Sequence, residues 1–598
     1  MLLLIASSGL AATVNVGDGD SLYQACQDAN NNDIIVVDAG RSLMGSVEDD
    51  CFLNGVSDVT IQSSGGSSKV GGILVQSSNG TTLESLDSVG TSTPLFLGAI
   101  YLNDSSNVTL RDISISGPAT YNDTRFYADD ALNLTVDGLS AAGVGSDEAF
   151  AELVIQVAKG TSTMQLDGLS ASGAGASLQI SVTSATKVDL ADLVLSGGQT
   201  SESASAGCLT LSGGAGGGVF TLTNAQISGC GGRYGGAVHV TSGTATFEGG
   251  RIESSQAEKG GGVFIDTEGQ VSLKGGVELV DNVATTGSAL YVYQSRLTVE
   301  GAVLNNNVSV SGSTGAPTGG ALTATSPELL DLARMQFCNN SVEGGTGLGS
   351  ALTVRGGSGG SGQPKLSFAE LRANRGGDAV IYLEDHAQVS LESLSIVGND
   401  AETLVHTTTG DGLLLDSSLM MDAKVGHTFP GELGGGYNFW YQVTDPAPEG
   451  SLPASDLNTG SGPGLLTGYD SAKCEQPLTL QEGSPLIDAG NPVRDLDPDG
   501  TLLDIGANYW DQTPDTGDSG DTGETGETGG DTWETGDSAP LETGDSGVEP
   551  LELPIMMSGG CGQSGGSSGV ASMLMGLLLL GLKRRAKSPS GDGASHTP

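Results

Sequence analysis

The sequence predicts an all-β chain wound as a right-handed parallel β-helix, a solenoid of short strands. Three observations predict it. Glycine is abundant, 96 of 598 residues, while aromatic residues make up only 4%. A unit of two short alternating strands joined by a turn recurs from about residue 55 to 400. Two small motifs, one built on glycine and one on asparagine, ride on the same period. A single large globular core would need more aromatic bulk. A solenoid does not, because each coil buries small and β-branched side chains against its neighbours. Proline is scarce, at 20 residues, and no Gly-X-Y period is present, which excludes collagen.

The first twelve residues, MLLLIASSGLAA, are apolar and end in small residues. That pattern fits the apolar region and cleavage site of a signal peptide over 1–12, although a basic leading region is missing. Residues 21–29 place Leu22, Ala25, Cys26 and Ala29 on one helical face, and Ser21 and Gln24 have capping-box spacing. The strand-like run Ile34, Ile35, Val36, Val37 follows. A short helix at this place would cap the open first coil.

The solenoid is expected over 13–425. Its units include VTLRDISISG (108–117), KVDLADLVLSG (187–197) and QVSLKGGVELVDN (270–282). One apolar anchor per unit gives Leu110, Val136, Leu166, Leu190, Leu222, Phe247, Leu273, Val299, Leu332, Phe368 and Leu391, a mean step near 28 residues. A constant core with variable insertions explains the scatter about that mean. At ~4.8 Å per coil, roughly 15 coils would make a rod of about 70 Å.

The glycine motif reads Gly-small-Ala-aliphatic, as in Gly235-Gly236-Ala237-Val238 and Gly319-Gly320-Ala321-Leu322. Glycine supplies the turn and the aliphatic residue begins the next strand. The asparagine motif sets Asn three residues after an apolar one: Leu279/Asn282, Leu304/Asn307, Phe337/Asn340, Leu371/Asn374 and Ile396/Asn399. Asn side chains stacked in successive turns can hydrogen-bond along a ladder, which is a structural role.

Over residues 227–400 these two motifs resemble the repeats of the polymorphic outer-membrane protein family, whose passengers carry GGA-aliphatic and FxxN motifs. Phe337-Cys338-Asn339-Asn340 and Gly319-Gly320-Ala321-Leu322 match outright, and the other copies are degenerate. No autotransporter barrel sequence follows, so that family's export route does not carry over. The N-terminal helix and first strand resemble the entry of many bacterial β-helix proteins.

Coil geometry also makes a statement about cysteine. Cys26 and Cys51 are 25 residues apart, and Cys208 and Cys230 are 22 apart. Each separation is close to one coil, and stacked coils bring Cα atoms within the reach of a disulfide. Bridges Cys26–Cys51 and Cys208–Cys230 are therefore expected in an oxidising compartment. Cys338 and Cys474 remain as a weaker pair.

Beyond the repeats, a closing module is expected over 426–510. SPLIDAG (484–490), an Asp-Pro-Asp-Gly turn and DIGA (504–507) resemble the closing module of surface β-helix proteins with varied anchors, the choice-of-anchor type. Residues 511–557 read as a disordered acidic linker; 511–552 hold 13 acidic residues and no Lys or Arg. Cys561, a short apolar helix over 570–582 and the basic group Lys583, Arg584, Arg585 and Lys587 follow. A mainly apolar run of thirteen residues gives roughly 20 Å of helix, short for a stable span. Residues 558–587 resemble myxosortase-type sorting tags, which implies processing and anchoring at Cys561. The rival reading is a transmembrane helix that is kept. Residues 588–598 read as a disordered tail.

The formal net charge of −48 excludes a nucleic-acid partner and disfavours an anionic membrane surface for the body of the chain. Some β-helices cleave polysaccharides, which requires a base and clustered acids. Arg233, Tyr234 and Arg251 are thin candidates, as are Asp378, Glu384, Asp385 and His386, and the five His show no metal spacing. Asp495, Asp497 and Asp499 with Gly500 match the opening of a calcium loop, but Gly506 stands where the bidentate acid belongs. Calcium at this trio is the one cofactor weighed, against a plain turn.

The reading is a non-catalytic β-helix at the surface of a Gram-negative bacterium, anchored to the outer membrane or envelope through its C-terminus. Its role would be adhesion or envelope structure, with an extracellular glycan or a surface protein as partner. The alternatives are a polysaccharide lyase or hydrolase and a calcium-dependent glycan-binding protein.

Overall fold

The computed structural model describes residues 11–508, apart from intervening segments such as 91–98, 143–151, 200–205 and 465–477. The described chain is nearly all β and forms a parallel solenoid of about 13 turns. The only α-helix among the described residues is Leu22–Gln27. The Ser21 side chain caps it by accepting from the Gln24 N–H at 3.0 Å. Leu22 and Cys26 are its buried residues, turned onto the first coil.

Each coil visits three sheets. The first sheet stacks Ile34–Val37, Thr60–Ser63 and Thr82–Glu84 and runs on through 109–111, 135–137 and 165–167 to Leu413–Asp416. The chain then turns a tight corner into the third sheet, which includes Val194–Ser196, Gln226–Ser228, Arg251–Glu253 and Ser395–Val397. A longer return leads to the second sheet, Cys51–Asn54, Ile73–Gln76 and Ile100–Asn103 onward. A fourth, short ladder of Gln256–Lys259, Val283–Thr286, Val308–Val310 and Ser341–Glu343 fills one return.

The expected anchors stand in register. Leu110 pairs with Val136, Val136 with Leu166, Leu166 with Leu190, Leu190 with Leu222 and Leu222 with Phe247. The row continues through Leu273, Val299 and Leu332. One anchor is corrected. Leu366, not Phe368, pairs with Leu332 and Leu391 in the core, and Phe368 is 41% exposed. Leu366 and Phe368 are two residues apart, so alternation alone cannot separate them. The left-handed backbone at Phe368 (φ 52°) turns the corner and throws that side chain outward.

The core is one continuous row of apolar side chains, mostly aliphatic, from Val16 to Trp440. It extends past residue 425: Gly434–Gly436 pairs with Leu413–Asp416, and Phe439–Asp445 pairs with the strand before it. Trp440 is fully buried and donates its indole N–H to Asp456 Oδ2 at 2.9 Å, so the aromatic cluster plugs the last coils.

The asparagine ladder exists as expected. Asn282, Asn307, Asn340, Asn374 and Asn399 are buried in one file. Asn282 Nδ2 donates to Asn307 Oδ1, Asn307 to Asn340, Asn340 to Asn374 and Asn374 to Asn399, at 2.9–3.1 Å. Each also donates to a strand carbonyl, as Asn340 does to Leu304 O at 2.9 Å. The Oδ1 atoms of Asn307, Asn340, Asn374 and Asn399 each accept the backbone N–H of the preceding Asn as well. The turn thereby satisfies buried backbone groups that no strand can reach.

The glycine motif has a steric cause. A Cβ on Gly236 would lie 2.2 Å from Gly261 O, and one on Gly320 would lie 2.1 Å from Ser350 O. Successive turns stack backbone on backbone there, and a side chain does not fit.

Both expected disulfides are present, with Cα–Cα distances of 5.5 Å for Cys26–Cys51 and 5.7 Å for Cys208–Cys230. Neither joins stacked equivalents. The first ties the cap helix to the strand Cys51–Asn54, and the second closes a single coil from its entry to the second sheet to its exit from the third. Cys230 also heads the asparagine file: its N–H donates to Ser255 Oγ, and Ser255 N–H donates to Asn282 Oδ1. Cys338 is disulfide-bonded too.

Candidate functional site

After the last coil the chain doubles back along the flank of the solenoid. This closing arm, residues 478–508, docks on the outward face of the third sheet. Leu478, Leu480, Leu486 and Ile505 form a second, small core with Val397, Leu419, Met421 and Phe439. Backbone contacts fix the depth: Gly506 N–H donates to Ser417 O and Ala507 N–H to Ser395 Oγ, both at 2.9 Å. The SPLIDAG and DIGA segments are the two strips that make this contact.

A cleft of about 590 Å³ opens between the arm and the coils beneath it. The solenoid contributes Arg334, Gln336, Lys365, Phe368, Glu370, Glu392 and Asp416, and the arm contributes Arg494 to Pro498, Leu503, Asp504 and Gly506 to Asn508. Arg494 holds the two walls together. Its Nε donates to Asp416 Oδ2 at 2.8 Å, and its second amine lies 3.3 Å from Glu392. Asn491 Nδ2 donates to Asp416 at 3.0 Å. Lys365 faces Glu392 at 3.6 Å. Under the arm, Arg372 and Glu370 form a buried pair at 3.0 Å.

The three acids expected to open a calcium loop reach this region by different routes. Asp495 lines the cleft. Asp499 caps its own turn, accepting from Thr501 N–H and Thr501 Oγ1 at 3.0 and 2.7 Å. Asp497 is buried and accepts from Asp504 N–H at 2.9 Å. Asp504 in turn accepts from Asp488 N–H at 2.8 Å. Burial pushes the Asp497 carboxyl up to about 6, and the nearby Asp504 carboxylate adds to the rise. Among the described residues no group of three or more His, Cys, Asp or Glu is placed to hold a metal ion. The partner that matters for Asp497 is Asp504, four residues past the Asp-Pro-Asp-Gly turn, and calcium-loop spacing does not point to it.

The other sequence candidates do not converge. Arg233 pairs with Glu258, Arg251 with Glu253 and Glu278, and Arg355 with Glu384, each on the outer surface. His239 is buried against Phe264, and burial lowers the pKa of His427. His406 stacks on Tyr382 with ring centres 4.8 Å apart. His386, Cys474, Cys561 and the basic group Lys583, Arg584, Arg585 and Lys587 lie outside the described residues. So do the acidic linker and the apolar run 570–582. Among the described residues no helix is long and apolar enough to cross a membrane.

No protein-family model matches the chain, and no curated protein matches it. Among solved structures it is similar to one described as "a new PL6 alginate lyase complex with trisaccharide", at 8% identity. That match covers 84% of this chain and 95% of the other, with a TM-score of 0.18. A superposition that poor says nothing of what this chain does.

Proposed function

We propose that the protein is a non-catalytic β-solenoid displayed on a bacterial cell surface, in an adhesive or envelope-structural role. One observation carries the reading. Every basic side chain in the cleft is already paired: Arg334 with Glu300, Lys365 with Glu392, and Arg494 with Glu392 and Asp416. None stands ready to take a proton from a sugar. The two adjoining carboxylates, Asp497 and Asp504, are buried and hold backbone N–H groups, which makes them fasteners of a loop.

The disulfides support an oxidising compartment. The acidic 511–552 stretch supports an extended stalk, and Cys561 with the basic group 583–587 supports anchoring at the envelope. Brief protease treatment of intact cells tests display. It should release solenoid peptides, and Cys561→Ala should move the protein from the cells to the medium. Solenoid peptides released only after lysis would contradict display, and an unchanged location of the variant would contradict anchoring at Cys561.

A further inference from the structure

The corner between the first and third sheets makes a demand on the backbone. The residue there has a positive φ in every described coil from Ser85 to Ser417. Glycine takes this conformation freely, Asn and Asp at small cost, and bulky side chains only under strain. The sequence complies with Gly138, Asp192, Asn224, Gly275, Gly301, Ser393 and their equivalents. Three coils depart from it, two of them consecutive, with Arg334 at φ 54° and Phe368 at φ 52°, and a later one with Tyr437 at φ 59°.

The two consecutive ones, Arg334 and Phe368, line the cleft under the closing arm, and Tyr437 does not. Phe368 adds nothing to the core, since it is 41% exposed and Leu366 fills the core position. A large exposed ring kept in strained backbone and turned toward a cleft points to a role outside the core. The cleft also has an extension. A second cavity of about 560 Å³, lined by Gln363, Pro364, Val389 and Leu414, shares Lys365 and Glu392 with the first. Together they form an elongated groove, suited to an oligomer.

Charge selects among oligomers. Arg334, Lys365 and Arg494 are outnumbered in the groove by Glu370, Glu392, Asp416, Asp495, Asp497 and Asp504. A polyanion is repelled. Because the basic groups are already paired, the groove offers fixed donors and acceptors for hydroxyl groups more than a net charge for an ion. We propose that this groove binds a neutral oligosaccharide, with one sugar ring lying on Phe368. Arg334, Gln336, Lys365 and Glu392 hydrogen-bond the hydroxyls of the flanking units. The proposal goes beyond surface display and does not depend on it.

Isothermal titration of the full chain tests it, with neutral gluco-, manno- and xylo-hexaoses, a hexauronate, a glucosamine hexamer and a proline-rich peptide as probes. Saturable binding of at least one neutral hexaose is expected. Phe368→Ala and Phe368→Gly should each weaken it about 10-fold through the lost ring contact. Phe368→Gly should show a Tm no lower than the parent's, because glycine relieves the corner, so a folding defect cannot explain the loss. Val493→Ala, at an 84% exposed position outside the groove lining, should bind as the parent does. Binding confined to the hexauronate, the glucosamine hexamer or the peptide would overturn the proposal. So would neutral-sugar binding that Phe368→Gly leaves unchanged, or no binding by any probe.

Discussion

The coils of the asparagine ladder and the closing arm lie on the same solenoid but are held by opposite means. From Asn282 to Asn399 each coil repeats the hydrogen bonds of the last, and each turn borrows a partner from the next. The arm over 478–508 is held once, by a small second core, by Arg494 on Asp416 and by the carboxyl pair Asp497 and Asp504. Repetition gives redundancy and periodic sequence. Single contacts give a unit that can detach, and they leave no period behind.

The largest break should come in the ladder. Asn340→Ala removes two donated and two accepted bonds in a fully buried turn. A cost of about 4 kcal/mol is expected in denaturant unfolding, since the orphaned N–H groups find no water. Asn340→Asp should do nearly as much harm, because a carboxylate accepts and cannot donate.

Next comes the single-coil disulfide. Replacing both Cys208 and Cys230 with Ala frees a loop with a separation of 22 residues and should cost about 3 kcal/mol. The loss should appear in unfolding of the solenoid and leave protease sensitivity of the arm unchanged.

Arg494→Ala should cost about 2 kcal/mol, and only locally. It leaves the buried Asp416 carboxylate with Asn491 as its remaining partner in the arm. Limited proteolysis should then cut within 478–508 while the coils stay intact. If the whole solenoid melted earlier by the same amount, the contrast between the two regions would fail.

A pH dependence follows from the same region. The folded state holds the Asp497 carboxyl near 6 against an ordinary 3.8, so it binds the proton more tightly than the unfolded chain. Arm stability should therefore fall as pH rises from about 4 to 6, then level off. Asp497→Asn should flatten that slope and leave the arm more resistant to protease at pH 7. A slope that the variant shares with the parent would refute the assignment.

The same contrast explains what the sequence showed in advance. Coil anchors and the asparagine file were legible because the solenoid repeats its contacts at a near-constant step, and both disulfide pairs because their separations are close to one coil, although neither bridge joins stacked equivalents. Phe368 was misplaced because a period-two pattern runs through the corner, whereas the left-handed residue there reverses which side faces in. The cleft was not legible at all. Arg494 and Asp416 are 78 residues apart, and Asn508 meets Glu370 across 138. The calcium-loop spacing drew attention to Asp497 but not to Asp504, which comes beside it only when the DIGA strip docks.

The most direct test of the functional account combines binding with turnover. The purified full chain is incubated for a day with the neutral hexaose it binds best, and with its polymer, and the products are weighed by mass spectrometry. The account predicts hexaose recovered whole, bound saturably by the parent and about 10-fold more weakly by Phe368→Gly. Shorter or unsaturated fragments that form with the parent and not with heat-denatured chain would contradict it.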